Sequence, residues 1–231
     1  VVDRGTLTVN NGSGSGTGTA AAMVNTNATL AGTGSISGAV TVNAGGTIAP
    51  GSGGVGTLTI NSSLTLNSGA QLSFELGTIA ASDKIVVSGA LALGGTLSVT
   101  NVAGFGAGTY TIISYGGALS GKVPTVGSMP PGYTGSINTN TAGQVRLIVQ
   151  LVPATPPTIG SITVSGDSLL ISGTGVPPNG TYYVVTATNI GLAMGNWTRL
   201  STNQFDAAGG FWFTNALDRN TPQRFFRLSL P

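Results

Sequence analysis

The chain has 231 residues, of which 38 are glycine, 40% are hydrophobic and only 6% are charged, a balance that excludes both a disordered chain and a helical enzyme rich in Glu and Lys. Its net charge of +2 comes from eight basic and six acidic residues spread thinly along the sequence, so no basic face for nucleic acid is predicted. Histidine and cysteine are both absent, which excludes disulfides, thiolate or imidazole metal sites and His-dependent nucleophiles.

A short phrase recurs through the first half of the chain. Each copy opens on glycine and then places two bulky aliphatic residues on either side of one small residue. The copies are GTLTV at 5–9, GAVTV at 38–42, GTLTI at 56–60, GALAL at 89–93 and GTLSV at 95–99. This period of two is typical of a strand with one buried face. Because strands this short cannot form a core alone, their repetition predicts the stacked coils of a β-solenoid.

Turn clusters separate the apolar positions from Val40 onward. They read NAGG at 43–46, PGSGG at 50–54 and NSG at 67–69. Asn43, Asn61 and Asn67 each follow a predicted strand, where an Asn side chain can hydrogen-bond the backbone of the turn. Corner formation, rather than ligand binding, is the role predicted for all three.

Larger side chains, among them Phe105 and Tyr110, end the first part of the chain together with a predicted strand at 145–149. They predict a C-terminal cap that shields the last coil. The segment PATPPT at 153–158 then predicts a linker, because proline lacks a ladder donor and favours an extended backbone. We therefore expect a β-solenoid with its cap at 1–152, a Pro-rich linker at 153–158 and a second domain at 159–231.

The second domain differs in composition, since it contains both tryptophans and half of the basic residues. Strands are predicted at 161–165, 169–173, 181–189, 197–203, 210–215 and 223–230. Short strands in this number and at this spacing are typical of a small antiparallel β-sandwich of immunoglobulin or fibronectin size.

Three segments of the first half carry a family resemblance: LAGTGSI at 30–36, VNAGGTIAPG at 42–51 and SDKIVVSG at 82–89. They resemble the autotransporter-associated β-strand repeat of bacterial secreted proteins. The resemblance covers the first part of the chain and implies a right-handed parallel β-helix (solenoid) there. With the small antiparallel β-sandwich predicted from the strand pattern, the expected fold class is all-β. It also implies a secreted or cell-surface location in bacteria and a passenger-type, structural or adhesin-like role. The segment 181–228 looks like a small sandwich found at the end of some large secreted repeat proteins, a likeness that implies no function.

Carboxylates are the remaining candidates for catalysis. Glu75 and Asp83 are eight residues apart and would suit a polysaccharide-cleaving β-helix only if they met in a polar cleft. The favoured interpretation is a strand residue and a turn residue. The aspartates lack the Gly-Gly-x-Gly-x-Asp repeat that binds calcium, and the Gly-rich runs lack a phosphate-binding Lys. The sequence therefore predicts no catalytic residue, no cofactor and no metal.

One candidate binding patch lies in the second domain. Alternation in its strands places Phe226 and Leu228 inward, with Phe225 and Arg227 on the other face, and it places Trp212 opposite its two Phe neighbours. Trp212, Phe225, Arg199 and Arg227 are therefore a candidate exposed patch for glycans or a neighbouring subunit. The favoured alternative is that the arginines stack over aromatic rings and simply cover the surface of the domain.

These observations favour a non-enzymatic extracellular structural protein, a β-solenoid shaft that self-assembles into a surface fibre or filament. Self-association is expected because the coils lack the Lys and Glu that usually discourage pairing of strand edges. The alternative is an adhesin-like passenger that binds carbohydrate or a cell surface through the sandwich. A polysaccharide-cleaving enzyme ranks last. No run approaches the roughly 20 apolar residues of a membrane-spanning helix, and the start at Val1 within a repeat predicts a processed chain or a fragment.

Overall fold

The computed structural model of the chain describes residues 1–153, 155–175, 177–218 and 223–231. Contacts divide the chain into two compact units, Val1–Leu151 and Val152–Pro231. Regular structure in both units is almost entirely β-strand. Within the described ranges the one helix is a single 3₁₀ turn, Met194–Asn196, and no helix there is long and apolar enough to cross a membrane. The predicted all-β class is confirmed.

The first unit consists of short strands connected by tight turns. In chain order they are β1 (Gly5–Thr8), β2 (Ala22–Val24), β3 (Ala28–Gly32), β4 (Ser35–Ile36), β5 (Val40–Val42), β6 (Thr47–Pro50), β7 (Thr57–Ile60), β8 (Leu64–Leu66), β9 (Gln71–Leu76), β10 (Lys84–Val87), β11 (Leu91–Leu93), β12 (Thr96–Asn101), β13 (Gly108–Tyr115), β14 (Leu119–Gly121), β15 (Thr125–Val126), β16 (Tyr133–Asn138) and β17 (Gln144–Leu151).

Three sheets run the length of this unit. Sheet A has the order β2-β5-β8-β11-β14, sheet B the order β1-β3-β6-β9-β12-β15, and sheet C the order β4-β7-β10-β13-β17-β16. From β3 to β14 the chain visits sheets B, C and A in turn. From β5 to β14 each strand pairs in parallel with the strand one coil earlier, whereas β4 begins sheet C. The predicted β-solenoid is therefore confirmed.

Aligned aliphatic side chains form the core of the solenoid. In sheet B, Leu30 lies beside Ile48 and Ile48 beside Leu72 in successive coils, and each is at most 1% exposed. In sheet A, Val40 lies beside Leu64 in the same way. Each such side chain contributes about 1.5–3 kcal/mol of hydrophobic free energy when fully buried. The period-2 phrases of the sequence thus become columns of buried residues across coils.

Antiparallel strands replace the parallel coils at the end of sheet C. Strand β17 pairs antiparallel with β13, and β16 pairs antiparallel with β17. Phe105 packs edge-on against Tyr133 with ring centroids 4.8 Å apart and stacks on Tyr110 at 5.9 Å. These strands and rings occupy the part of the chain in which the sequence predicts a terminal element.

The second unit contains two antiparallel sheets. Its strands are β18 (Thr158–Ser165), β19 (Ser168–Thr174), β20 (Thr181–Ala187), β21 (Thr198–Gln204), β22 (Gly210–Ala216) and β23 (Phe225–Ser229). Sheet D has the order β18-β19-β22 and sheet E the order β21-β20-β23. All six predicted strands are found, although β18 begins at Thr158, the last residue of the predicted linker. The arrangement is compatible with a small sandwich.

Aromatic side chains fill the core between sheets D and E. Tyr182 of β20 stacks on Phe205 with ring centroids 4.7 Å apart and lies 5.4 Å from Phe211 of β22. All three are 2% exposed. The Tyr182 hydroxyl donates to the backbone carbonyl of Trp212 at 3.3 Å, which satisfies its polar end as a buried tyrosine requires.

Candidate functional site

The most enclosed charged side chain of the first unit is Asp83, which precedes β10 and is 1% exposed. One carboxylate oxygen accepts a hydrogen bond from the backbone N–H of Gly56 at 2.7 Å, and the other accepts from the backbone N–H of Glu75, also at 2.7 Å. Burial raises the pKa of Asp83 to about 6; the two backbone hydrogen bonds oppose this shift, and the neighbouring Glu75 charge adds to it. Asp83 therefore ties a loop and a strand together from inside the fold.

The two carboxylates considered for catalysis do come together, but not as a reactive pair. The backbone N–H of Asp83 donates to the Glu75 carbonyl at 2.9 Å, and both Asp83 oxygens are already occupied by backbone donors. A glycosidase needs one carboxyl group free to protonate the substrate and a second to assist from an open cleft. No group of three or more His, Cys, Asp or Glu residues is placed to hold a metal ion within the described ranges.

A ladder of amide side chains joins successive coils between sheets A and B. Asn67 Nδ2 donates to Asn43 Oδ1 at 2.9 Å, Asn43 Nδ2 to Asn25 Oδ1 at 2.7 Å, and Asn25 Nδ2 to Asp3 Oδ1 at 2.6 Å. The predicted bonding of Asn43 and Asn67 to the backbone of their own turns is therefore wrong, because these side chains bond to the equivalent corner of the preceding coil. Asn61 is not part of the ladder.

The ladder stops at Gly94, which follows β11 as Asn67 follows β8. An added Cβ at Gly94 would lie 2.3 Å from the carbonyl oxygen of Leu66, so no side chain fits at this corner. Beside it lies a cleft of about 480 Å³. The polar residues that line it are Thr65, Asn67, Ser68, Thr96, Lys122 and Thr125. Hydroxyl, amide and ammonium groups without a neighbouring acid suit a hydroxyl-rich or anionic ligand.

The structure divides the predicted patch of the second unit between two sheets. Trp212 lies on β22 of sheet D and is 71% exposed. Arg199 lies on β21, and Phe225 and Arg227 lie on β23, so these three belong to sheet E. The exposure of Trp212 agrees with the alternation seen in the sequence, but its grouping with the two arginines does not follow from the strand order.

An arginine-lined row crosses the outer face of sheet E. Val185 of β20 is paired with Arg199 on one side and Arg227 on the other. The guanidinium carbon of Arg199 lies 3.6 Å from the centroid of the Tyr183 ring, a close cation–π contact. Val185 is only 7% exposed. Because one arginine already covers a ring, the arrangement includes the surface-covering role that the sequence favoured.

Tyr183 is the residue of this surface that the sequence did not single out. The available signal is its spacing, since Tyr183 stands two residues before Val185 and so shares its face. Its neighbour Tyr182 points into the core. The sequence alone does not show which of two adjacent tyrosines points into the core. That depends on which face of β20 packs against the opposite sheet.

Comparison with known proteins adds one relative. Over 93 residues the chain is 44% identical to the adhesin BmaC autotransporter of Brucella suis biovar 1 (strain 1330). The match covers 37% of this chain and 3% of that protein, so the chain corresponds to a small part of its relative. No protein-family model matches the chain.

Proposed function

We propose that this chain is part of the passenger of a bacterial secreted or cell-surface protein, in which the solenoid is a non-enzymatic, adhesin-like scaffold. The observation that carries the proposal is the structural use of the polar side chains of the solenoid. The Asn25, Asn43 and Asn67 amides bond from coil to coil, and Asp83 bonds to two backbone N–H groups. Amide and carboxylate groups engaged in these hydrogen bonds hold the coils together, so they are not free to act as catalytic acids or bases.

The similarity to an autotransporter adhesin supports the cell-surface setting. On this proposal the coils belong to the autotransporter-associated β-strand repeat and wind with the right hand usual for parallel β connections. Residues 1–152 act as the scaffold, the Pro-rich residues before β18 as the linker, and the segment from β18 onward as a sandwich of immunoglobulin or fibronectin type. Low charge and short strands are what a long exposed stack of coils needs in order to bury its apolar columns.

Location and adhesion are tested separately. An antibody against the purified chain is applied to intact bacteria that encode it, before and after protease treatment of the cell surface. Beads coated with the folded chain are compared with beads coated with heat-denatured chain for attachment to host cells and to bacterial cells. We expect surface labelling that protease removes and attachment that needs the folded chain. Labelling seen only after cell lysis contradicts the proposal.

The second candidate function is binding of acidic glycans by the outer face of sheet E. It is favoured by the alignment of Arg199 and Arg227 on either side of Val185, because two guanidinium groups on one face offer paired donors to carboxylate or sulfate. A glycan array probed with the wild type, with Arg199→Gln plus Arg227→Gln and with Trp212→Ala tests this function. Loss in the double arginine variant alone supports sheet E, whereas loss in Trp212→Ala alone assigns binding to sheet D.

Assembly into a fibre is the third part of the proposal. It rests on the strands at the ends of the sheets, because β1 and β15 at the two ends of sheet B and β14 at one end of sheet A contain no charged residue. Negative-stain microscopy of the purified chain distinguishes the alternatives directly. Filaments that lengthen with protein concentration support assembly, and uniform compact particles at every concentration contradict it.

A further inference from the structure

The first strand of the second unit turns apolar side chains toward the core side of its sheet but leaves them exposed. Ile162 is paired with Ile171, and Val164 is paired with Leu169. Directly opposite residues of antiparallel strands point to the same face, and Ile171 and Leu169 belong to the core at 3% and 9% exposure. Ile162 and Val164 are nevertheless 61% and 62% exposed.

The reason lies in the width of the opposite sheet. A row of side chains crosses sheet D from Phe213 through Ile171 to Ile162. Phe226 of β23 packs on Phe213 with ring centroids 6.4 Å apart. Among the described residues sheet E ends at β23, so the part of the row on β18 overhangs. A cleft of about 410 Å³ lies at this position. It is lined by residues of β18, β19 and β23 that include Ile159, Ile162 and Phe226, and by residues 215–218 and 223–224 at the end of β22 and before β23.

Two open strand edges border the same cleft. Within the described ranges β23 pairs with β20 alone, and β18 pairs with β19 alone. Proteins usually protect such edges with lysine, proline or inward-pointing charges. The eight residues of β18 read TIGSITVS and include no charged residue and no proline. An extended strand placed beside β23 would gain backbone hydrogen bonds and would cover the apolar side chains of β18 at the same time.

We propose that the second unit forms a closed two-fold dimer in which β18 of each copy pairs with β23 of the other. Sheet D of one copy then continues into sheet E of its partner, and the Ile162 and Val164 side chains of the two copies pack on each other between the sheets. The strand that pairs with β23 comes from a second copy, because each molecule contains both an uncovered strand, β18, and an open edge, β23. One two-fold rotation places β18 of each copy beside β23 of the other. The dimer is independent of the proposed adhesive role.

The oligomeric state of the full chain tests this inference. Light scattering after size exclusion should give twice the chain mass of 22.7 kDa at high concentration and dissociation on dilution. Val164→Lys places a charge in the centre of the interface and should weaken the dimer about thirtyfold or more. Thr214→Lys is the matched control, because Thr214 is an exposed residue on the opposite face of sheet D. It should leave the dimer unchanged.

Disulfide cross-linking tests the dimer without relying on the folding of Val164→Lys. The chain has no native cysteine, so Ile162→Cys introduces one thiol, which faces its symmetry mate in the dimer. Oxidation should cross-link this variant to a covalent dimer, whereas Thr163→Cys, on the other face of β18, should give no covalent dimer. Far-UV circular dichroism and tryptophan fluorescence check folding in every variant.

Several results overturn the proposal. One is a wild-type chain that stays monomeric at all concentrations. If Val164→Lys then lowers the stability of this monomer, Val164 packs against another part of its own chain and not against a second copy. Another is a dimer that Val164→Lys leaves intact. Assemblies that grow beyond two chains and in which Ile162→Cys forms no covalent pair contradict the closed two-fold pairing. Filaments in which Ile162→Cys does form covalent pairs are built from the dimer and support both proposals.

Discussion

Asn43 is hydrogen-bonded to Asn25 in the preceding coil, with Nδ2 of Asn43 donating to Oδ1 of Asn25 at 2.7 Å. Its own Oδ1 accepts from Asn67 at 2.9 Å, so Asn43 is the middle residue of the ladder. An amide suits this position because its end carries both donors and an acceptor. Asp3, which receives the bond from Asn25, ends the ladder with a group that only accepts.

Replacement of Asn43 by alanine should destabilise the solenoid. Asn43→Ala removes one hydrogen bond toward Asn25 and one toward Asn67, and partly buried polar groups that lose a partner cost about 1–3 kcal/mol in total. We expect a fall of that size in the free energy of unfolding of the first unit. Urea denaturation followed by far-UV circular dichroism measures it.

Asn61→Ala is the matched control for the ladder. Asn61 also follows a strand at a corner, but it is exposed and makes no side-chain hydrogen bond within the described ranges, so its loss should stay within about 0.5 kcal/mol. Both tryptophans lie in the second unit, so their fluorescence reports that unit and should not change. Equal destabilisation by the two substitutions would contradict the special role of Asn43.

The sequence shows the strands of the solenoid but not the ladder. Alternation identifies Val40 and Val42 as buried, because side-chain direction depends only on local backbone geometry. Asn25 and Asn43 are 18 residues apart, whereas Asn43 and Asn67 are 24 apart. Because the coils differ in length, no fixed spacing in the sequence shows which asparagines stack. The alignment of the asparagines follows from the pairing of Val24, Val42 and Leu66 in sheet A.

The candidate patch of the second unit was likewise predictable from the sequence only in its local features. Alternation in β22 correctly separates exposed Trp212 from buried Phe211, which is again a local property. Whether Trp212 shares a face with Arg199 depends on which strands form each sheet, and that is decided by contacts between distant segments. The buried state of Asp83 was equally out of reach, because its two donors, Gly56 and Glu75, belong to different coils.

The stability of the first unit should depend on the protonation of Asp83. Its pKa in the folded chain, about 6, lies above its ordinary value of 3.8, mainly because burial disfavours the charged form. The folded chain therefore holds this proton more tightly than the unfolded chain does. The resulting stabilisation is complete below pH 3.8 and is lost as the pH rises through 6.

Urea denaturation of the first unit at a series of pH values measures this dependence. We expect the free energy of unfolding to fall across this interval by roughly 3 kcal/mol at most. Asp83→Asn removes the titrating group and should flatten the profile, whereas Glu75→Gln keeps Asp83 and should retain the fall. A wild-type profile that rises with pH over the interval would contradict the assignment.

Loss of an aromatic core residue should unfold the second unit selectively. Phe205 is 2% exposed and stacks on Tyr182, and truncation of a buried phenylalanine costs about 3–5 kcal/mol. Phe205→Ala should therefore lower the denaturation midpoint reported by tryptophan fluorescence. Trp212→Ala, at a side chain that is 71% exposed, should change the midpoint little when followed by the remaining Trp197. A similar loss in both variants would show that Trp212 is packed against the fold.

Two glycines of the first unit separate backbone strain from lack of space. Gly53 and Gly95 have φ angles of +79° and +85°, but an added Cβ meets nothing within 4 Å at Gly53 and lies 2.2 Å from the Ala70 carbonyl oxygen at Gly95. Gly53→Ala should cost only the left-handed strain, about 1–2 kcal/mol. Gly95→Ala should cost about 3 kcal/mol or more, because the backbone of the neighbouring coil must also move. Urea denaturation followed by far-UV circular dichroism compares the two, and equal losses would mean that the Ala70 carbonyl yields without cost.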